Sequence, residues 1–453
     1  MRLTALPSCA IALLLCAGRC PAADAPPFPP PTPEAYRGIA VQVEANLARD
    51  VLAKWFPAAV DRDAGGFYEN FREDWSRGPT GQKSIVYQSR LTWLSAQAAA
   101  RFPDRSAEYL AATRHGVAAL ADKLWDKDKG GFFWAVDDAG RPTRERGDEK
   151  HAYGIAFGIY AAASSHAVTK DAAALELAQR AFRWLDRHAH DARNGGYFEA
   201  LTGDGHPILS PAANRPAADA IGTAYGRKSM NTHIHLLEAM TALHAVWPEP
   251  AVRARLAELH DVVLTRIYAD RGSQHLYLSA DWKPVPGPDS YGHDVETAFL
   301  LAESAEALGK RDDPVTWRAA RRLVDHALDA GFDHARGGFY YEGAAAAASG
   351  HARQTQKVWW VQAEGLNALL LMHERFGRET PRYWEAFAKT WAFVSKHQVD
   401  AKHGGWHNTV SAEGAPTPGR AKSDRWTEGY HQGRALLTVS ARLRNLADGR
   451  GHE

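Results

Sequence analysis

One segment recurs along the chain at a nearly fixed interval. It reads "DRDAGGFYENF" with its glycine pair at 65, "DKDKGGFFWAV" at 130, "DARNGGYFEAL" at 195, "DHARGGFYYEG" at 337 and "DAKHGGWHNTV" at 404. Successive copies lie about 65 residues apart, a period that marks a repeat architecture. The one double-length gap is filled by "DRGSQHLYLSA" from Asp270, which lacks the glycine pair. Six equivalent units result. In each, glycine supplies the positive φ of a tight turn or small hairpin, and the remainder shows helical periodicity. The pattern predicts twelve helices, at roughly 33–56, 84–101, 104–125, 150–168, 170–190, 229–245, 248–268, 292–309, 313–331, 356–377, 380–398 and 424–446.

These helices are of two kinds. "YGIAFGIYAAASSHAV" (153 to 168) carries no charge and "VWWVQAEGLNALLLM" (358 to 372) only one, whereas "AALELAQRAFRWLDRHA" (173 to 189) alternates apolar and charged faces. Helices apolar nearly all round are buried, and amphipathic ones cover them. Alternation in sequence therefore predicts an all-α fold, an (α/α)6 barrel of six inner and six outer helices with short hairpins in the connecting loops. An open solenoid is the alternative that the same repeat allows. The barrel is expected as one catalytic domain over 35–446, with 447–453 as a C-terminal tail. Every connection with a glycine pair runs from an outer helix to the next inner one, so all gather at one end with the inner-helix N-termini. That end is where a pocket is expected.

A net charge of +1 offers no electrostatic footprint for nucleic acid or an anionic membrane. A neutral small-molecule partner fits better, and the 15 Trp suit the faces of sugar rings as well as a large core. A carbohydrate bound by a monomer or weak homodimer is the expectation. The start, "MRLTALPSCAIALLLCAGRCPAADA" (1 to 25), has the basic, apolar and small-residue order of a secretory signal peptide, with a cut near Ala22 to Ala25. A proline-rich linker, 26–34, follows. The three cysteines, Cys9, Cys16 and Cys20, all lie in this leader, so the mature chain would have neither disulfides nor a thiol nucleophile. A periplasmic or secreted protein is predicted, with no later apolar run long enough to span a bilayer.

Polar and aromatic residues stand at the predicted inner-helix starts in every unit: Arg90, then His151 and Tyr153, Asn231 and His235, His293 and Glu296, Trp359 and Trp360, Trp426 and His431. Buried singly they would be costly, and their convergence on one rim points to a site. Asn231 and His235 are four apart and share a helix face. His293 and Glu296 are three apart, so the carboxylate can orient the imidazole as a general base requires. His233 and His235 form an H-x-H pair that could ligate metal. Residues two apart on a helix diverge, however, so His233 is expected to leave the site. The expectation is acid–base chemistry with no metal and no cofactor.

"KSMNTHIHLLEAMTALHAVWPE", "YGHDVETAFLLAESAEALG", "KVWWVQAEGLNALL" and "DRWTEGYHQGRALL" resemble the cellobiose 2-epimerases, a branch of the N-acylglucosamine 2-epimerase superfamily of sugar epimerases and isomerases. The resemblance covers about residues 35 to 446. It implies an (α/α)6 barrel and inversion at C2 of the reducing-end glucose of a β-1,4-linked disaccharide, through ring opening and a cis-enediolate. It further implies that His293 and His431 are the acid/base pair, with Glu296 the partner of His293. Arg90, Asn231 and His235 would bind and polarise O1 and O2; Trp359, Trp360 and Trp426 would form the walls. An aldose–ketose isomerase of the same superfamily is the nearest alternative. A glycoside hydrolase using Asp294, Glu296 and Glu428, and a non-catalytic sugar-binding protein, stand further off.

Overall fold

The computed structural model describes residues 29–213, 216–343 and 352–450; the predicted leader and the first three residues of the proline-rich linker, 26–28, lie outside them. The linker ends earlier than its composition suggests, because Thr32 caps a helix that begins at Pro33. Proline at a first helical position loses no hydrogen bond and is preset in φ.

Among the described residues, twelve long helices alternate between two rings. The outer ones are α1 (Pro33–Asn46), α3 (Ser106–Ala119), α5 (Ala172–His188), α7 (Pro250–Val262), α9 (Pro314–Gly331) and α11 (Arg382–Phe393). The inner ones are α2 (Ile85–Arg101), α4 (Ala152–Thr169), α6 (Met230–Val246), α8 (Tyr291–Ala307), α10 (Trp359–Phe376) and α12 (Tyr430–Ala447). Inner helices touch their inner neighbours all the way round, α12 against α2 included, and each outer helix lies on the inner helix before it. The first outer helix, α1, lies on α12 and completes the ring. The barrel is therefore closed, and the solenoid alternative falls.

Burial follows the predicted division. In α4 every residue from Ala152 to Ser165 except Tyr160 is buried, whereas α5 buries one stripe: Ala174, Leu177, Ala178, Ala181, Phe182, Trp184 and Leu185. Four outer helices end in a π-turn, at Leu47–Leu52, Leu120–Leu124, Val263–Ile267 and Val394–Gln398.

The expected hairpins form a layer at one end. The strand leading into each inner helix pairs antiparallel with the strand that follows the glycine turn of the next unit. Thus β1 (Lys83–Ser84) pairs with β2 (Ala135–Val136), and β3 (Lys150–His151) with β4 (Ala200–Leu201). In the middle of the chain β5 (Arg227–Ser229), β6 (Tyr277–Ser279) and β7 (Pro284–Val285) form three strands. Next, β8 (Glu342–Gly343) pairs with β9 (Ala352–Gln354), and β10 (Lys357–Val358) with β11 (Thr409–Val410). A bridge from Phe71 to Ser423 joins the first unit to the sixth.

A repeated ion pair locks this layer. The aspartate opening each glycine turn meets a buried lysine two residues before an inner helix or its equivalent: Asp61–Lys83 at 2.7 Å, Asp126–Lys150 at 2.7 Å, Asp191–Lys228 at 2.8 Å, Asp333–Lys357 at 2.9 Å and Asp400–Lys422 at 2.6 Å. The fourth unit, which lacks the glycine pair, reverses the polarity with Arg271–Asp289 at 2.5 Å. Gly66 shows why the pair must be glycine. Its φ is +71°, and a Cβ there would lie 2.5 Å from Gln88 Oε1. That glutamine brackets the backbone of Phe67, accepting from its N–H and donating to its carbonyl.

The sixth inner helix starts at Tyr430, six residues later than expected. Asp424 is the reason: its Oδ1 accepts from the backbone of Trp426 and Thr427, a local turn that competes with helix. Trp426 is left projecting at 37% exposure.

Candidate active site

A cavity of about 460 Å³ opens among the N-terminal turns of the inner helices. Ten of the eleven residues singled out at the inner-helix starts line it: Arg90, Tyr153, Asn231, His235, His293, Glu296, Trp359, Trp360, Trp426 and His431. Tyr341 and Asn408 join them from the hairpin layer, and Ile221 from the connection before α6. A second cavity of about 480 Å³ lies at the other end of the barrel, among Glu303, Glu306, Arg311 and Arg442. It contains none of the ten, and two of its arginines are already paired, Arg375 with Asp312 and Arg442 with Glu374.

His233 turns away from the cavity, as its spacing predicts. Its Nδ1 meets the Ser229 carbonyl at 2.7 Å and its Nε2 accepts from the Tyr197 amide, so it clamps a glycine turn. His151 also lies outside the cavity lining; it caps α4 through its Nδ1.

Beneath the named residues runs a layer that helix spacing alone did not single out. Arg434 on α12 donates to three buried carboxylates: Glu238, Glu296 at 2.5 Å and Glu364 at 2.7 Å. Each carboxylate serves a histidine or lies near one. Glu238 Oε2 is 2.9 Å from His235 Nδ1, and Glu364 Oε1 is 2.6 Å from His431 Nδ1. Glu296 Oε1 sits 4.0 Å from both His235 Nε2 and His431 Nδ1. The expected pairing of Glu296 with His293 is therefore corrected. His293 Nδ1 instead bonds Ser290 Oγ at 2.6 Å, and Glu296 is held by Arg434. The three-residue spacing gives proximity, but the stronger guanidinium donor takes the carboxylate.

The charges are uneven. Burial pushes the Glu364 carboxyl up to about 8 against the pull of Arg434. Burial also opposes ionisation of Glu238, yet Arg434 and His235 outweigh it and hold that carboxyl at about 2. Burial lowers His293 to about 4, and burial with Arg90 and Arg434 drives His431 well below the usual imidazole range. Both rings are neutral at physiological pH, which leaves nitrogen lone pairs available as bases. Glu296, Glu364 and His431 lie close enough together to hold a cation, but Arg434 already supplies positive charge to both carboxylates.

Around this layer stand the binding groups. Arg90 donates to Glu428 at 3.2 Å and to Tyr153 Oη at 3.1 Å, while its Nε and the Asn231 Oδ1 are buried without a protein partner. Trp360 lies between the two histidines, its ring centroid 4.8 Å from that of His293 and 5.6 Å from that of His431. Of the acids open to a hydrolase, Asp294 is spent elsewhere, on Gln274 and His326. Glu428 is engaged by Arg90 and raised by burial to about 7.

Closed helical rings around a polar lumen of this kind define an (α/α)6-barrel enzyme with an acid–base pocket. The chain belongs to the N-acylglucosamine 2-epimerase (GlcNAc 2-epimerase) family, whose model matches residues 66–433, and is a carbohydrate epimerase or isomerase. It is 29% identical over 400 residues to a cellobiose 2-epimerase of Bacteroides fragilis, covering 88% of this chain and 97% of the relative. A solved cellobiose 2-epimerase from Spirochaeta thermophila superposes with a TM-score of 0.80 at 32% identity, over 91% of this chain and 98% of the other. A D-mannose isomerase of Thermobifida fusca is 28% identical over 342 residues, 70% of this chain and 75% of the relative.

Proposed function

We propose that the protein inverts C2 of the reducing-end aldose of cellobiose or a similar β-1,4-linked disaccharide. The reaction runs by proton transfer between His293 and His431 through ring opening and a cis-enediolate. One observation carries this reading: two neutral imidazoles flank one aromatic ring, Trp360, and in each Nδ1 is engaged by a neighbour so that Nε2 is left for the substrate. The near-complete coverage of the cellobiose 2-epimerase of Bacteroides fragilis supports the choice of sugar.

The residues divide the work as follows. Glu364 Oε1 accepts from both Arg434 and His431 Nδ1, so His431 carries its proton on Nδ1 and a lone pair on Nε2. The Ser290 hydroxyl can donate to or accept from His293 Nδ1, so His293 can present Nε2 bare or protonated. In the open-chain aldehyde one Nε2 takes the C2 proton, and the C–H electron pair moves into the enediolate. The other histidine, protonated from solvent to imidazolium beside the negative enediolate, returns its Nε2 proton to C2 on the opposite face, and the first histidine loses its proton to solvent. Arg90, Asn231 and His235 hold O1 and O2, with the guanidinium opposite the developing negative charge.

Incubation with cellobiose and its mannose-ended epimer in D2O, followed by NMR, tests this. The expected product is the C2 epimer carrying deuterium at C2. A ketose would make the protein an isomerase of the same family, and sugar with no deuterium would exclude enediol chemistry altogether. We further propose export from the cytoplasm, on the strength of the leader at 1–25; N-terminal sequencing of the mature protein that finds Met1 would exclude it.

A further inference from the structure

Outside the catalytic cluster, the described residues contain one other set of buried titratable groups gathered around a common point: His151 on β3, Glu199 beside β4, and Asp219 in the connection before α6. All three are at most 3% exposed. His151 Nε2 lies 3.0 Å from Asp219 Oδ2. Glu199 Oε2 is buried without a protein partner, while its Oε1 accepts from the Ser229 amide. Such a set outlines a cation site, but the histidine forbids it. Its Nδ1 accepts from the Tyr153 amide, which places the ring proton on Nε2, the atom that would have to coordinate.

What the cluster holds is a loop. Asp219 Oδ1 accepts from the amides of Ile221 and Thr223, folding residues 219–223 into a compact turn, and Ile221 lines the catalytic cavity. Asp219 lies in the connection before α6, whereas His151 sits on β3, which leads into α4, and Glu199 stands just before β4 and is tied to the start of α6 through the Ser229 amide. Arg146 grips the same turn through the carbonyls of Ala218 and Asp219.

We propose that His151, Glu199 and Asp219 form a proton-holding latch that fastens the 216–226 loop over the catalytic cavity, making them positioning residues for the sugar. This rests on the reading of that cavity as the sugar site. The closed latch has His151 Nε2 against Asp219 Oδ2, a 3.0 Å contact without hydrogen-bond geometry, and a proton on Glu199 Oε2. Loss of that proton to solvent leaves two carboxylates side by side in a dry pocket, and the repulsion falls on the loop. Other titratable groups nearby are Glu149, Tyr225, Arg146, Lys228 and Tyr277. Burial, with Asp219 next in weight, holds the Glu199 proton on up to about 7, far above an exposed glutamate. Closure therefore takes up a proton, and rising pH opens the latch.

Hydrogen exchange at the Ile221 and Thr223 amides, corrected for intrinsic rate, reads the latch without any sugar. Protection in the native enzyme should fall between about pH 6 and about pH 9. Glu199→Gln keeps the acceptor for Ser229 and mimics the protonated acid, so its protection should stay flat over that range. Asp219→Ala should be unprotected throughout and should raise KM at least about tenfold, with kcat changed less than about threefold. Native protection that does not vary with pH, or a Glu199→Gln profile that follows the native one, would overturn the latch. If Asp219→Ala does not fold, the Glu199→Gln profile decides. Failure of the sugar reading would show separately, as a native enzyme without turnover on the disaccharide.

Discussion

Buried charge is arranged in two ways in this barrel. In the hairpin layer, the His151–Glu199–Asp219 cluster apart, six buried aspartates each meet one lysine or arginine within 3 Å: five Lys–Asp pairs and the reversed Arg271–Asp289. There burial pushes the carboxyls up, but lysine hydrogen bonds outweigh it, so Asp61, Asp126 and Asp333 stay below the usual range and Asp191 sits at about 2. Under the cavity, one guanidinium serves three carboxylates, and the result is spread: Glu238 at about 2, Glu364 at about 8. Balanced pairs have no reason to exchange protons near neutrality, whereas the unbalanced cluster holds groups on both sides of it. The contrast separates charge that fixes geometry from charge that performs chemistry.

Substitutions on the two sides should therefore fail differently. The largest effect is expected from His293→Ala and His431→Ala, each losing epimerisation by at least roughly 10³-fold while remaining folded, since the proposed two-base scheme gives each face of the sugar a single histidine. Circular dichroism alongside product NMR checks both halves; near-normal inversion in either variant would sink the two-base scheme. On the other side, Lys150→Met leaves Asp126 buried and unpaired, which should cost about 3–5 kcal/mol in denaturant unfolding. Turnover per folded molecule should not change, and removing Asp126 as well should restore most of the stability. A Lys150→Met enzyme of normal stability but low kcat would erase the distinction between the two regions.

Smaller effects sharpen it. Glu364→Gln keeps an oxygen for Arg434 and His431 but cannot ionise; since burial holds the native carboxyl protonated up to about 8, kcat should change less than about threefold near neutrality and fall below the native value only at higher pH, with little change in KM. The least effect is on pH dependence. His293 is depressed to about 4 by burial, so between 6.5 and 4 the unfolded chain binds the proton that the folded one refuses. This contribution to stability is present above the unfolded pKa and is lost as pH falls through that window. Acid unfolding should begin near 6, and His293→Gln should flatten that limb in thermal melts run across pH.

The barrel and its pocket could be read from the sequence because both are periodic. The glycine pairs announce the hairpins, and the inner-helix starts bring the ten lining residues to one end. The misses lie one helical turn deeper. Glu238 is three residues past His235, Glu364 four past Trp360, and Arg434 three past His431, so extending each named face by a turn would have found the lower layer. Tyr341 and Asn408 were likewise marked by standing four residues after the first glycine of their pairs. The partner of His293 was not recoverable by spacing. Ser290 and Glu296 are both three residues from it, and only the fold shows Arg434 reaching Glu296 while the serine takes the ring. The late start of α12 came from Asp424, whose side chain defeated a pattern that the apolar periodicity alone supported.

The way the ring closes has a bearing on when the protein becomes itself. Helix α1 lies on α12, Arg37 donates to the carbonyl of Ala447, 410 residues away, and Phe71 pairs with Ser423. During synthesis the first helix emerges with no surface to cover, and α2 keeps one flank bare until the last helix has been made. Contacts of such long separation form late and slowly. The nascent chain thus stays open through almost the whole of translation, a state that chaperones can hold. The architecture that gives the finished enzyme its closed lumen also delays folding until the final helix has left the ribosome.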